Sequence, residues 1–176
     1  PILDSLGIDK NKPEKQQRNQ TGSPILEEGD ILLNTTLAET SDWQQVDLPV
    51  VSTLRHFCIE TLSSYTEDNQ ACISEVDLLD DKGQPIDKTK WEVVYVSSEQ
   101  ADKNLGIAEN LFDGDISSFW HTDPATEPGQ PHRIIVDIKE IYKISALRFK
   151  VRKGAFLSGK VKEINVYGRP QFFLFH

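Results

Sequence analysis

The chain has 176 residues, of which 38% are hydrophobic and 27% charged, and its formal net charge is −9. That length suffices for one domain with its own core, and no apolar run approaches the ~18 residues of a membrane-spanning helix. The acidic balance excludes wholesale nucleic-acid binding, which draws on many basic contacts to phosphate.

Residues 1–28 are dominated by Lys, Glu, Gln, Asn and Pro and show no helical or strand periodicity, which predicts a polar linker or arm. The chain opens Pro1-Ile-Leu-Asp and contains no Met. With a linker in front, this predicts a piece of a longer protein whose preceding domain lies N-terminal to the arm. From residue 29 to 168 the pattern changes to short apolar runs at 31–33, 43–48, 54–62, 71–79, 91–97, 132–138, 144–151 and 161–167, separated by Gly, Pro, Asn and Asp. Runs of that length and spacing predict an all-β sandwich or barrel, with no helix of useful length.

Two cysteines punctuate the first half, Cys58 and Cys72. They pair as a disulfide if residues 63–70 loop between two strands, or they are two small buried hydrophobes. Asn19-Gln-Thr21 and Asn34-Thr-Thr36 fit the N-glycosylation acceptor pattern, which also occurs by chance. Asp80-Asp-Lys-Gly-Gln-Pro85 reads as a tight turn.

The stretch from Asn110 to Thr122 holds the densest chemistry. Asp113-Gly114-Asp115 predicts a tight turn, since Gly supplies a positive φ and Asp bonds its own backbone. Its carboxylates and carbonyls, with the Ser117 and Ser118 hydroxyls, offer a hard cation such as Ca²⁺ several oxygens; alternatively Asp113 simply caps nearby N–H groups. Phe112, Phe119 and Trp120 anchor the turn in a core. The loop that follows, rich in Pro and Gly over residues 123–131, is bracketed by His121, Asp123, His132 and Arg133. Those side chains are candidates to bond a ligand's hydroxyls, with Trp120 expected in the core rather than as a platform.

In Ala146-Leu-Arg-Phe-Lys-Val-Arg152, strand alternation puts Leu147, Phe149 and Val151 on one face and Arg148, Lys150 and Arg152 on the other. Residues 139–176 carry nine Lys/Arg against two Asp/Glu. The basic stripe, extended by Lys153 and Lys160, faces solvent, pairs with acidic strands, or reads oxyanions of an acidic glycan or anionic lipid. Phe156-Leu157 in the next loop is the one hint of a membrane-contacting tip. The aromatic tail, residues 169–176, holds three Phe and packs on the sandwich as an added strand or docks on a neighbouring domain.

Trp91-Glu-Val-Val-Tyr-Val-Ser-Ser98, Ala108-Glu-Asn-Leu-Phe-Asp-Gly-Asp115, Phe119-Trp-His-Thr122 and Pro131-His-Arg-Ile-Ile-Val-Asp-Ile138 stand in an order that resembles the discoidin domains. These are also known as coagulation factor V/VIII type C domains and include the family 32 carbohydrate-binding modules. The resemblance implies an antiparallel β-sandwich of the jelly-roll, galactose-binding-like class. It further implies a structural Ca²⁺ held by Asp113, Asp115, Ser118 and a Glu from a terminal strand. That Glu is Glu75 if the domain is circularly permuted, so that residues 43–80 supply strands usually found at the end. It is Glu163 if residues 30–80 form an extra layer instead.

Catalytic motifs are missing: there is no Gly-x-Ser-x-Gly, no His-Glu-x-x-His and no phosphate-cradling glycine loop. Asp113 and Asp115, in one turn, do not span the ~5 Å or more that glycosidase carboxylates need. The expected function is non-catalytic attachment of a larger secreted or surface protein to a glycan, a galactoside or an acidic polysaccharide. The alternatives are a protein-interaction or structural domain, or adhesion to anionic lipid.

Overall fold

The computed structural model of the chain describes residues 13–14, 18, 20–66, 68–125, 129–152 and 159–176. Two long strands carry the fold, β3 (Gln44–Thr61) and β8 (His132–Lys150), of ten strands among the described residues. They pair antiparallel along their length, with the register jumping between Asp47 and Ser52 and again between Leu54 and His56. The extra residues lie at 48–51 on β3 and at 138–141 on β8. Pro49 cannot donate to a ladder and Lys139 takes φ +73°, so both sites bulge and the pairing resumes beyond them. The expected separate runs at 43–48 and 54–62, and at 132–138 and 144–151, are therefore each one bent strand.

On the other side of β3 lies β9 (Glu163–Arg169), with β2 (Ile31–Thr36) beyond it. The free edge of β8 is shared by β5 (Glu75–Asp80), along residues 144–150, and β6 (Glu92–Val96), along 134–137. Every ladder among these strands is antiparallel. Phe57, Ile59, Val136 and Val166 share one buried cluster with Val76, Leu78, Leu147 and Phe149, so the bent halves of the sheet pack face to face. This is the predicted antiparallel β-sandwich, and the described residues contain 3-10 turns but no α-helix. Residues 30–80 do not form an extra layer, because β3 and β5 lie within the sheet.

Two small ladders finish the molecule. β4 (Cys72–Ile73) pairs with β7 (Trp120–His121), and β1 (Pro24–Ile25) pairs with β10 (Leu174–Phe175). The tail is thus an added strand, and Phe173 is buried with Cys58, Ile135 and Tyr167 on the outer face of the sheet. Both cysteines are free, which excludes the disulfide: Cys58 lies in that outer cluster and Cys72 on β4. Burial pushes the Cys72 thiol up to about 12.

The described part of the N-terminal arm is tied down. Arg18 bridges Glu99 at 3.1 Å and Glu109 at 2.8 Å, and the Gln20 amide bonds Val96. Asn34 spends its side chain on Asn165 at 2.8 Å and on Glu163. Asn19, Lys153, Phe156 and Leu157 lie outside the described residues. No helix among the described residues is long and apolar enough to cross a membrane.

Candidate functional site

A 3-10 turn over Ala108–Phe112 delivers the chain to the Asp-Gly-Asp segment. Asn110 holds it there, its amide donating to the carbonyls of Asn104 at 3.2 Å and Phe119 at 3.0 Å. Gly114 has φ +79°, so the glycine is required by conformation. Asp113 accepts the Asp115 N–H at 2.9 Å through Oδ1 and the Ser118 hydroxyl at 2.5 Å through Oδ2. Ser118 Oγ also lies 3.0 Å from the Asp115 carbonyl. The Asp115 carboxylate turns instead to Ser117, accepting its hydroxyl at 2.6 Å and its N–H at 2.9 Å, which holds it below the usual carboxylate range.

Strand β5 brings Glu75 to this turn. Its carboxylate is 1% exposed, and Oε2 accepts the Gly114 N–H at 3.1 Å. The Lys88 ammonium reaches the same oxygen and also bonds Asp77 Oδ1 at 2.6 Å and the Val76 carbonyl at 3.1 Å. Oε1 is buried without a hydrogen-bond partner. Burial pushes the Glu75 carboxyl up to about 7, against the pull of Lys88 and the Gly114 N–H. Glu163 sits elsewhere, on β9, where it pairs with Thr36 and takes a bond from Asn34. Lys88 escaped the sequence reading. The signal was present, since a turn at 80–84 with Leu79 opposite Pro85 carries the returning chain past Glu75–Asp77.

Among the described residues no group of three or more His, Cys, Asp or Glu gathers as a metal site. What does gather is an oxygen set of Asp113 Oδ2, Ser118 Oγ and the Asp115 carbonyl; Glu75 meets the same turn through Oε2 on the Gly114 N–H, and its Oε1 is buried without a partner. Hard oxygen donors and an orphaned buried carboxylate oxygen fit Ca²⁺.

The four residues around the Pro- and Gly-rich loop do not converge. His121 is 3% exposed, with Nδ1 at 2.5 Å from the Thr122 carbonyl, and burial lowers its pKa. His132 is 2% exposed, with Nε2 2.6 Å from the Asn69 carbonyl. Arg133 donates to Glu60 at 2.6 Å, and Glu60 also accepts Asn165 at 2.9 Å and the Tyr167 hydroxyl at 3.2 Å. Asp123 lies at a separate hollow with Ser97, Ser98 and Arg18, and its carboxylate accepts the Ala125 N–H at 2.9 Å. Trp120 is fully buried, as expected of a core residue.

The basic stripe divides along its length. The Arg148 guanidinium lies 4.8 Å above the Trp43 ring, and Lys150 donates to the Ser41 carbonyl at 2.7 Å. Arg152 lies 4.2 Å above the Phe119 ring and, with Lys160 and Tyr65, lines a cleft of about 290 Å³ closed on its far side by Ala38, Glu39, Thr40 and Ser41. Tyr65 is held by a 2.8 Å bond to the Leu37 carbonyl and by Lys162, 5.4 Å above its ring. The cleft joins two cations, the Glu39 carboxylate, an aromatic ring and hydroxyls, a set suited to a sugar's hydroxyls, with the cations available to an acidic group.

Residues 93–171 match the sequence profile of the F5/8 type C domain. Over 84 residues the chain is 33% identical to a sialidase of Micromonospora viridifaciens. That alignment takes in 47% of this chain and 13% of the sialidase, so the chain corresponds to a small part of that protein.

Proposed function

Because residues 93–171 match the F5/8 type C, or discoidin, domain, we propose that the chain is a non-catalytic module that holds a larger secreted or surface protein on a glycan. The cleft lined by Arg152, Lys160 and Tyr65 carries this reading. Arg152 offers a planar fork for a carboxylate or for vicinal hydroxyls, Lys160 adds a point charge, and the Tyr65 ring offers an apolar surface to sugar C–H groups. Part of a sialidase is similar to this chain, which supports service beside an enzyme that acts on sugars. Strands β3 and β5 precede the matched segment entirely yet flank β8 inside it, which supports the permuted strand order.

A glycan array with neutral galactosides, uronates and sulfated polymers tests the reading. Acidic sugars should bind best. Lys160→Glu and Arg152→Ala should each weaken binding about tenfold or more, the ~1.5–3 kcal/mol worth of one charge-assisted hydrogen bond. A blank array from folded protein would overturn it and leave a protein partner, to which Phe172 and Leu174, 54% and 60% exposed, would then be the natural contact.

The same reading includes a structural Ca²⁺, held by Glu75, Asp113, Ser118 and the Asp115 carbonyl. The ion would tie the turn to β5 and supply no chemistry to a substrate. After dialysis against a chelator, Ca²⁺ at a hundred times its dissociation constant should add ~2.7 kcal/mol and raise Tm by several degrees. Glu75→Gln should remove that increment, and an unchanged melt on adding Ca²⁺ back would sink the metal.

A further inference from the structure

We propose that the C-terminal strap, residues 172–175, is fastened to the sandwich by a proton-sensitive latch at His56, which opens in acid. His56 points from β3 to the outer face of the sheet and is 2% exposed. The Phe172 ring stacks on its imidazole, with centroids 4.2 Å apart and planes 7° from parallel, and the Phe173 ring lies 6.0 Å away. The decisive contact is polar: the Phe173 N–H donates to His56 Nδ1 at 3.2 Å.

A ring nitrogen that accepts an N–H carries a lone pair, so the neutral imidazole holds its proton on Nε2. A second proton has only Nδ1 to go to. It would set two N–H donors against each other across 3.2 Å, so protonation and the Phe173 bond exclude one another.

Elsewhere the strap is held by contacts at the surface: Arg169 donates to the Phe172 carbonyl at 3.4 Å, and the Phe175 ring lies 5.8 Å from that of Tyr95. β10 pairs with β1 over two residues, and Ser23 and His176 exchange two 3.1 Å bonds at the end of that ladder. The Phe173 side chain, 3% exposed, is the one deep anchor among the described strap residues.

The charged groups around the ring come from three strands. Asp137 of β8 lies 3.9 Å from Nε2, but its carboxylate is already engaged by Arg55 of β3 at 2.9 Å and lies 3.9 Å from Lys139 of β8. Arg169 of β9 adds a further cation, with Asp30 3.8 Å from it, and Arg55 lies 4.9 Å over the Phe172 ring. The strap residues 172–175 and β1 bring no ionisable side chain to the ring. Burial lowers the His56 pKa from its ordinary 6.5; Asp137 opposes this, and Arg55, Arg169 and Lys139 reinforce it. A depressed histidine pKa means that the latch is fully closed above the ordinary value and lost as pH falls through the folded one. The outer cluster of Cys58, Ile135 and Tyr167 is covered at neutral pH and uncovered in acid.

Amide exchange followed by NMR between pH 7.5 and 5 tests this on the whole chain, with rates corrected for intrinsic pH dependence. The Phe173 amide should lose protection about tenfold per pH unit below its midpoint, the slope for one proton, while the β3–β8 amides keep theirs. His56→Asn offers an acceptor near the Nδ1 position that takes no proton, and it should keep the strap protected at pH 5. Acid loss of the same size in that variant, or equal strap protection at both pH values in the native chain, would overturn the latch. The imidazole ¹⁵N shifts of the native protein test it without a variant: Nδ1 must be the unprotonated nitrogen at pH 7.5.

Discussion

Replacing Trp120 by alanine is expected to cost about 3–5 kcal/mol, as much as a marginal domain of this size has to lose. The indole is completely buried beneath the loop that follows the Asp-Gly-Asp turn, on the short strand that pairs with Ile73. Its removal leaves a void that close-packed neighbours fill only in part. Its Nε1–H also donates to the Ser98 carbonyl at 3.0 Å, a bond that joins β7 to the segment leaving β6. Trp120→Phe separates the two contributions, because it keeps most of the apolar volume and forfeits the hydrogen bond, for about 1–3 kcal/mol. Urea unfolding followed by circular dichroism measures both. A loss below about 1 kcal/mol for the alanine variant would contradict the placement of this ring in the core.

The second large effect belongs to Lys88. Converting it to methionine strands the Glu75 carboxylate, 1% exposed, with only the Gly114 N–H, and also removes the partner of Asp77. At a pH well above the Glu75 carboxyl's value of about 7, breaking this buried pair from one side costs about 3–5 kcal/mol, since the carboxylate must stay unmatched and dry or take up a proton against the pH. Glu75→Gln in the same background relieves that charge and should return part of the loss, so the two substitutions should be strongly non-additive. Additive effects in a double-mutant cycle would show that the ammonium and the carboxylate are not coupled.

Much of the architecture was readable in residue alternation. Leu147, Phe149 and Val151 are buried while Arg148, Lys150 and Arg152 are half-exposed, as a period of two requires. The bends were not readable, because a bulge interrupts the apolar pattern just as a turn does; only the pairing of β3 with β8 on both sides of each bulge tells one from the other. At the Asp-Gly-Asp turn, local chemistry was enough to place Asp113 and Ser118 together, whereas the orientation of Asp115 depended on which serine captured its carboxylate. The basic stripe misled for a different reason. Alternation gives the face a side chain leaves from, and not the partner it finds there: Arg148 found Trp43, Lys150 found a carbonyl, and Arg152 found the Phe119 ring while lining the cleft. His56 carried no signal at all, since its role depends on a tail amide 117 positions away.

The position of β9 between β2 and β3 bears on how the chain is made. Among the described residues β2 has a ladder only with β9, and β1 only with β10, so both must wait for strands synthesised much later in this segment. Strand pairing across such separations closes loops at an entropic cost that local contacts do not first repay, which places this fold among the slower ones, in the range of about milliseconds to seconds. Until residues 163–169 emerge, the apolar side of β3 has one long neighbour instead of two and an open edge. That interval during synthesis exposes the chain to association with its own copies.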